Sequence, residues 1–328
     1  MKKQIIFLFT LSSLMGSISF GQFNKAGRTS FQFLKIGIGA RQSALSEASI
    51  AGVADINSVF WNPASITGIN GIEAGFSYTR WIGDLNVMAG AVGINLGSVG
   101  TFALNYASLN YGDIEEALVT SPTGRNDTRT GSTFTGNDLL VGLAYSRSFT
   151  DKLSIGINIK YIQEKLFIYT SSLWAFDVGS LYDIGWRGIK LAMSAQNFSS
   201  QARWLNTKAE EQQSYEIPLI YRIGSSIDLL GGEHLFFGGD PGQHRLTLNV
   251  DAIHTNDYAE RLHVGVEYWA FNLLALRGGY RMNYDEGNFS AGIGLNYETE
   301  FVHLKIDYAY VGYDFLQSPH RFSILMSF

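Results

Sequence analysis

The stretch Phe301–Phe328 reads FVHLKIDYAYVGYDFLQSPHRFSILMSF. Val302, Leu304, Ile306, Tyr308 and Tyr310 alternate with His303, Lys305, Asp307 and Ala309. Past a turn, Phe322, Ile324, Met326 and Phe328 fall on a single face. Successive side chains of a strand point to opposite faces, so a period of two in neighbouring segments predicts two strands, each with one apolar face.

The same rhythm runs back through the chain. Phe289, Ala291, Ile293, Leu295 and Tyr297 alternate with Ser290, Gly292, Gly294 and Asn296, and Leu153, Ile155, Ile157, Ile159 and Tyr161 oppose Ser154, Gly156, Asn158 and Lys160. The spacing predicts about fourteen strands, near 72–81, 86–96, 99–110, 138–149, 153–164, 173–184, 189–197, 215–227, 244–253, 261–270, 273–283, 288–297, 301–311 and 320–328. The apolar faces tend to finish in aromatics (Tyr161, Tyr268, Tyr280, Tyr297, Tyr308, Tyr310), as a girdle at a lipid boundary would. The other face is rich in Gly, Ser and Asn. It also carries Lys160, Arg222, Arg245, Asp251, Arg261, Glu267, Arg277, Arg281, Lys305 and Asp307, which suits a lumen that is partly packed and partly wet.

Composition narrows the function classes. The 328 residues include 36 glycines and no cysteine; 14% are aromatic and only 16% charged, with a net charge of -5. Intrinsic disorder and a disulfide or thiolate-metal scaffold are excluded, and the charge offers no general attraction for nucleic acid. Lys2 and Lys3, the apolar Ile5 to Leu11, and the small residues Gly16, Ser17, Ser19 and Gly21 form a secretory signal pattern, with cleavage expected before Gln22. No later apolar run is long enough for a spanning helix, so residence in a membrane requires a closed barrel. The expected division is a signal peptide over 1–21, an N-terminal hatch or plug over 22–70, and an outer-membrane β-barrel over 71–328.

The connections differ in character. Segments 111–137 and 198–214 read as long polar outer loops, whereas Gly97–Val99, Thr150–Lys152 and Glu298–Glu300 read as short inner turns, the asymmetry of outer-membrane barrels. Asp228–Gln243 is a long, glycine-rich inner connection. Ahead of the first strand, Ala40–Ala54 (ARQSALSEASIAGVA) has small residues at near-helical spacing and Asn62-Pro63 begins a turn, which predicts a helical plug in the lumen.

Residues 33–66, FLKIGIGARQSALSEASIAGVADINSVFWNPASI, resemble the N-terminal signature of the PorV/PorQ family, whose members are similar to FadL-type outer-membrane barrels. Asn62, Pro63 and Ala64 match the Asn-Pro-Ala element of the FadL-like hatch, and Ala40-Arg41 matches ahead of it. The resemblance implies an all-β, transmembrane antiparallel barrel with a hatch, and a non-enzymatic role in type nine protein secretion as a cargo shuttle or attachment-complex component. The implied partners are the translocon, the attachment complex or cargo signal domains. The alternative is a FadL-like transporter of hydrophobic small molecules, admitted through a lateral gap in the wall. A polar, charged lumen weighs against that alternative, because inward charges of both signs tend to pair with each other or with the plug.

An enzyme is the third class. His263 and His303 fall on the lumen face near Glu267 and Asp307, but no serine motif accompanies them, so no catalytic, metal or cofactor site is assigned. The terminal strand, with Phe322, Ile324, Met326 and Phe328, resembles the signal read by the barrel assembly machinery, where a free edge pairs with the machine's own edge. Outer-membrane lipid and that machinery are therefore the first expected partners.

Overall fold

The computed structural model describes residues 27–119, 127–186, 188–203, 214–231 and 243–328. The signal segment 1–21, and parts of the outer loops and of the Asp228–Gln243 connection, lie outside them. In chain order the strands are β1 (Ile72–Arg80), β2 (Asn86–Asn95), β3 (Thr101–Val119), β4 (Asp127–Ser148), β5 (Leu153–Leu166), β6 (Tyr169–Asp183) and β7 (Lys190–Ser199). A short pair follows, β8 (Ala202–Arg203) and β9 (Ser214–Tyr215). Then come β10 (Ile220–Leu230), β11 (His244–Thr255), β12 (Arg261–Ala270), β13 (Leu274–Met282), β14 (Phe289–Glu298), β15 (His303–Gly312) and β16 (His320–Ser327).

All but β8 and β9 form one closed, antiparallel, fourteen-stranded barrel. The seam is the pairing of the first and last strands, with Ala74 opposite Met326 and Phe76 opposite Ile324, and Ile72 and Phe328 exchange both backbone hydrogen bonds. Closure leaves no unpaired edge, which a wall in lipid requires.

The period-two pattern sorts the side chains. Leu104, Val141, Leu143, Ile159, Ile223 and Ile293 are all 45% exposed or more on the outer surface, and Tyr280, Tyr297 and Phe322 join them. Apolar surface of this extent would be costly in water, at about 25 cal/mol per Å². In a bilayer it is the solvent-matched face.

The segment expected as a polar loop over 111–137 is instead mostly strand, for β3 and β4 continue as a hairpin to Val119 and Asp127. Beyond the apolar belt both faces are solvated, so pairing persists without apolar alternation; Glu115 and Arg129 bridge it at 2.9 Å. The other outer loop holds the β8–β9 pair.

Residues 29–70 fill the lumen. Ile56, Val59, Ile66 and Ile69 pack on Ala91, Ala103, Ala144 and Leu325 of the wall, and Phe31 and Phe33 pack on Val87, Ala107, Leu109 and Leu140. The expected helix over Ala40–Ala54 is much shorter. Only α1 (Ala40–Ala44) is α-helical, and the rest of the plug is turns and short 3-10 pieces. Ser46 and Glu47 end it with left-handed backbone (φ 53° and 67°), a conformation that costs about 1–2 kcal/mol per L-residue. Wall contacts hold them there: Ser46 N–H donates to Ser290 Oγ at 2.9 Å, and Glu47 pairs with Arg281 at 3.2 Å.

Candidate functional site

The plug is fastened to the wall at three places. At the seam, the backbone N–H of Ala40 donates to Ser323 Oγ of β16 (2.8 Å) and that of Gly39 to Ser77 Oγ of β1 (3.3 Å), while the two hydroxyls lie 3.0 Å apart. Opposite, the Asn62-Pro63-Ala64 element starts a 3-10 turn. Asn62 Oδ1 accepts from Ala64 N, and Asn62 Nδ2 donates to Ile50 O (3.2 Å) and Ser180 O (3.1 Å). The element rests on two wall glycines, since a Cβ at Gly156 or Gly179 would overlap Pro63 or Asn62.

The third fastening is electrostatic. Arg41 donates from Nε to Glu267 Oε2 (2.8 Å) and from Nη2 to Glu267 Oε1 (2.6 Å), a bidentate clamp. Glu267 also accepts from Arg277 Nε (2.7 Å) and Trp269 Nε1 (2.8 Å), and Arg277 bonds Asp307 at 2.6 Å. Burial alone would raise the Glu47 carboxyl; the Arg281 guanidinium, followed by His263, Arg222 and Arg321, outweighs it and holds the group below its usual range. Most of the inward charges anticipated from sequence are thus paired with the plug or with each other, Lys160 with Asp177 among them. Arg245, Arg261 and Lys305 are only partly buried.

His263 is buried and hydrogen bonds with Tyr284 Oη at 2.9 Å, while His303 pairs with exposed Glu298. Glu267 and Asp307 are engaged by arginines instead, so the His263–Glu267 and His303–Asp307 groupings expected from sequence are not formed. Among the described residues no group of three or more His, Asp or Glu is placed to hold a metal ion.

Two cavities flank the plug. The upper one, in the outer half, lies between plug residues Phe33–Ile38, Phe60 and Trp61 and wall residues Val87, Ala107, Leu109 and Leu140. Its polar end is formed by Asn158, Lys160, Asp177, Gln196, Asn197 and Arg222. There β7 bulges, Gln196 and Asn197 together standing opposite Asp177, with Asn197 left-handed at φ 68°. Its volume is about 40 Å³. A pocket that takes benzene measures about 150 Å³, so entry of an aromatic ring requires the plug to move. The lower cavity, about 210 Å³, is polar and lies at the end carrying the short turns, between Gly52 and Ala54 of the plug and Lys190, Asp228, Arg245 and Thr247 of the wall. Among the described residues the wall is hydrogen-bonded strand to strand around its circumference, with no lateral gap.

The sequence reading missed the plug's share of the upper cavity. Phe33, Leu34, Ile36 and Ile38 follow no strand period, and only their apolarity marked them. It also missed Asp55 and Glu47 as partners of Arg41 and Arg281.

No family model matches the sequence, and no curated protein matches it. Among solved structures, the CymD monoaromatic hydrocarbon channel superposes with a TM-score of 0.53 at 11% identity, covering 89% of this chain and 98% of that one. The toluene transporter TodX of Pseudomonas putida gives 0.51 at 10% identity, covering 85% and 96%. At such identity the likeness is one of fold: this chain is an outer-membrane-type barrel of FadL-like architecture.

Proposed function

We propose that this barrel is a gated outer-membrane channel for small hydrophobic molecules, with the plug as the gate and no chemistry performed on the cargo. The observation that carries it is the upper cavity: apolar plug residues Phe33, Ile36 and Ile38 face apolar wall residues Val87, Leu109 and Leu140, beside a polar end formed by Lys160, Asp177 and Arg222. The charged lumen weighed against transport when only strand residues were counted, and the plug's own side chains supply the apolar surface that was missing. The resemblance in fold to hydrocarbon channels supports the same reading.

The chain's lack of cysteine permits a clean test. Ser46 Oγ and Ser290 Oγ lie 2.7 Å apart, so Ser46→Cys with Ser290→Cys gives a disulfide that locks plug to wall. Entry of a neutral fluorescent hydrophobe into cells producing the barrel is expected to exceed that of empty cells several-fold, and to drop to that background in the oxidised variant. Equal entry with the lock closed and open refutes the gate.

A second reading, a PorV/PorQ-type secretion component, draws on one observation. The β3–β4 hairpin carries exposed Leu118 and the Glu115–Arg129 pair beyond the lipid belt, surface that a channel does not use. Recovery of translocon or cargo proteins with the tagged barrel, together with no hydrophobe entry, favours it.

A further inference from the structure

The outer surface of the wall changes character at the outer ends of β5 and β6. Tyr161 and Trp174 stand opposite each other with rings 5.5 Å apart; beside them Phe176 stacks on Phe198 at 5.3 Å, and Tyr221 meets Phe198 edge-on at 5.9 Å. Trp174 is 65% exposed and Phe176 46%. Such rings mark the level at which hydrocarbon gives way to headgroups. Two residues further out, about 7 Å, the same face carries Gln163 opposite Ser172, and a second step of that length brings Lys165 opposite Thr170.

A third cavity sits at this level. The β6–β7 ladder ends at Ala175 and Ser199, and the next link is Ser171 Oγ donating to Arg203 O at 2.7 Å. The space between, about 410 Å³, is lined by Ser172, Leu173, Ser200, Gln201 and Arg203. That is well above the about 150 Å³ that holds a benzene ring, and it accommodates a phosphorylated sugar. Ala202 is 1% exposed and packs inward with Phe31 and Leu173, so Arg203, the next residue of β8, faces outward.

Cations elsewhere on the outer rim have acidic partners: Arg80 pairs with Asp84 at 3.0 Å and Arg129 with Glu115 at 2.9 Å. Lys165 and Arg203 are both exposed, and among the described residues neither has a carboxylate within ion-pairing distance. The outward positions between them, Gln163, Thr170 and Ser172, are amide and hydroxyl. A recess lined with hydroxyls and an amide, two cations free to take a phosphate, and exposed rings on the lipid side complement the parts of a single amphiphile.

We propose that this arc of the rim binds the headgroup of a phosphorylated glycolipid of the outer leaflet. Arg203 and Lys165 hold its phosphate, Ser172, Ser200 and Gln201 its sugar, and Trp174 and Phe176 lie along its acyl chains. The lipid stays on the outside of the wall, so the proposal depends neither on the channel reading nor on movement of the plug.

The test counts lipids bound to the full-length barrel by native mass spectrometry. The probes are lipid A, lipid A stripped of its phosphates, and phosphatidylglycerol, with inorganic phosphate as competitor. Lipid A is expected to bind at least tenfold more tightly than either other lipid and to stay bound in excess phosphate. Lys165→Gln with Arg203→Gln is expected to erase that preference, whereas Trp174→Ala weakens both forms of lipid A alike, because it meets only the chains. Arg147→Gln with Lys152→Gln removes two exposed cations at the inner end and is expected to change nothing. Heat-modifiable migration verifies folding of each variant. Absence of lipid A binding overturns the proposal, and so does equal binding of its phosphorylated and stripped forms. Phosphatidylglycerol bound as tightly as lipid A means that any anionic lipid suffices, and displacement by phosphate means a free-anion site; either overturns it. A matching loss in the inner-end variant would trace the preference to overall charge and overturn it as well. Hydrophobe entry is expected to be unchanged by Lys165→Gln with Arg203→Gln, so this proposal and the channel reading fail separately.

Discussion

Replacing Arg41 by methionine isolates the electrostatic fastening of the plug. The side chain keeps an unbranched apolar stem but loses the guanidinium, and with it the two hydrogen bonds to Glu267 and the 3.4 Å contact with Asp55. Removing one partner of a buried ion pair typically costs about 3–5 kcal/mol. Glu267 keeps Arg277 and Trp269, so the lower end applies, about 3 kcal/mol. That is roughly a hundredfold rise in the population with the plug released. Ser49 is the reporter of choice: it is 2% exposed, its hydroxyl has no hydrogen-bond partner among the described residues, and Ser49→Cys would be the chain's sole thiol. Maleimide labelling of a buried thiol tracks the open population when reclosing is fast. Adding Arg41→Met is therefore expected to speed labelling by about two orders of magnitude. Glu267→Gln combined with it should add less than its separate effect, because the two residues share one network. A labelling rate within threefold of the parent would falsify the clamp.

The same reporter reads pH. Because Glu47 titrates below its usual value in the folded state, its contribution is complete above pH about 4.5 and lost as pH falls through the depressed value. Divided at each pH by the rate of a free thiol, since only the thiolate reacts, labelling should stay flat from pH 8 to 5 and rise below 4.5, and Glu47→Gln should remove that rise; the groups facing Glu47 are Arg281, His263, Arg222 and Arg321. Gly179→Ala forces Asn62 off the wall and is expected to loosen the plug at least tenfold by labelling, with the barrel's heat-modifiable migration intact; slower labelling would contradict that packing. Leu143→Arg, on the lipid face, should destabilise the barrel by about 2–4 kcal/mol in urea titration, and a loss under 0.5 kcal/mol would mean that face does not meet lipid. Deleting Phe328 removes both backbone bonds to Ile72 and is expected to leave the chain in the periplasm; normal outer-membrane barrel after deletion argues against the terminal strand as an assembly signal.

The wall was legible because lipid on one side and a packed lumen on the other impose a strict period of two. β12 runs over Arg261–Ala270, the span its alternation predicts. Legibility ended where that contrast ended. At the outer end of the β3–β4 hairpin, over 111–118 and 129–137, both faces meet water, so the strands there carry no apolar alternation and read as loop. The plug is set by partners remote in sequence: Arg41 meets Glu267 across 226 positions, and Ser46 meets Ser290 across 244. Local propensity favoured a helix through Ala54, yet wall hydrogen bonds to Ser46 and Glu47 overrode it after one turn. The cavities were least visible, because each needs one surface from the plug and one from the wall.

The fastening at the seam bears on chronology. Gly39 and Ala40 are bonded to β1 and to β16, the two strands that meet last in the chain's own order and first around the circumference. Contacts of that sequence separation form slowly, since the loop between them must close. A cylinder that shut before the plug was inside would leave some forty residues to thread into a closed bore, a manoeuvre that connected, unthreaded folds avoid. Ser77 and Ser323 are where the plug touches both lips of the join, so the plug is the mandrel around which the first and last strands meet.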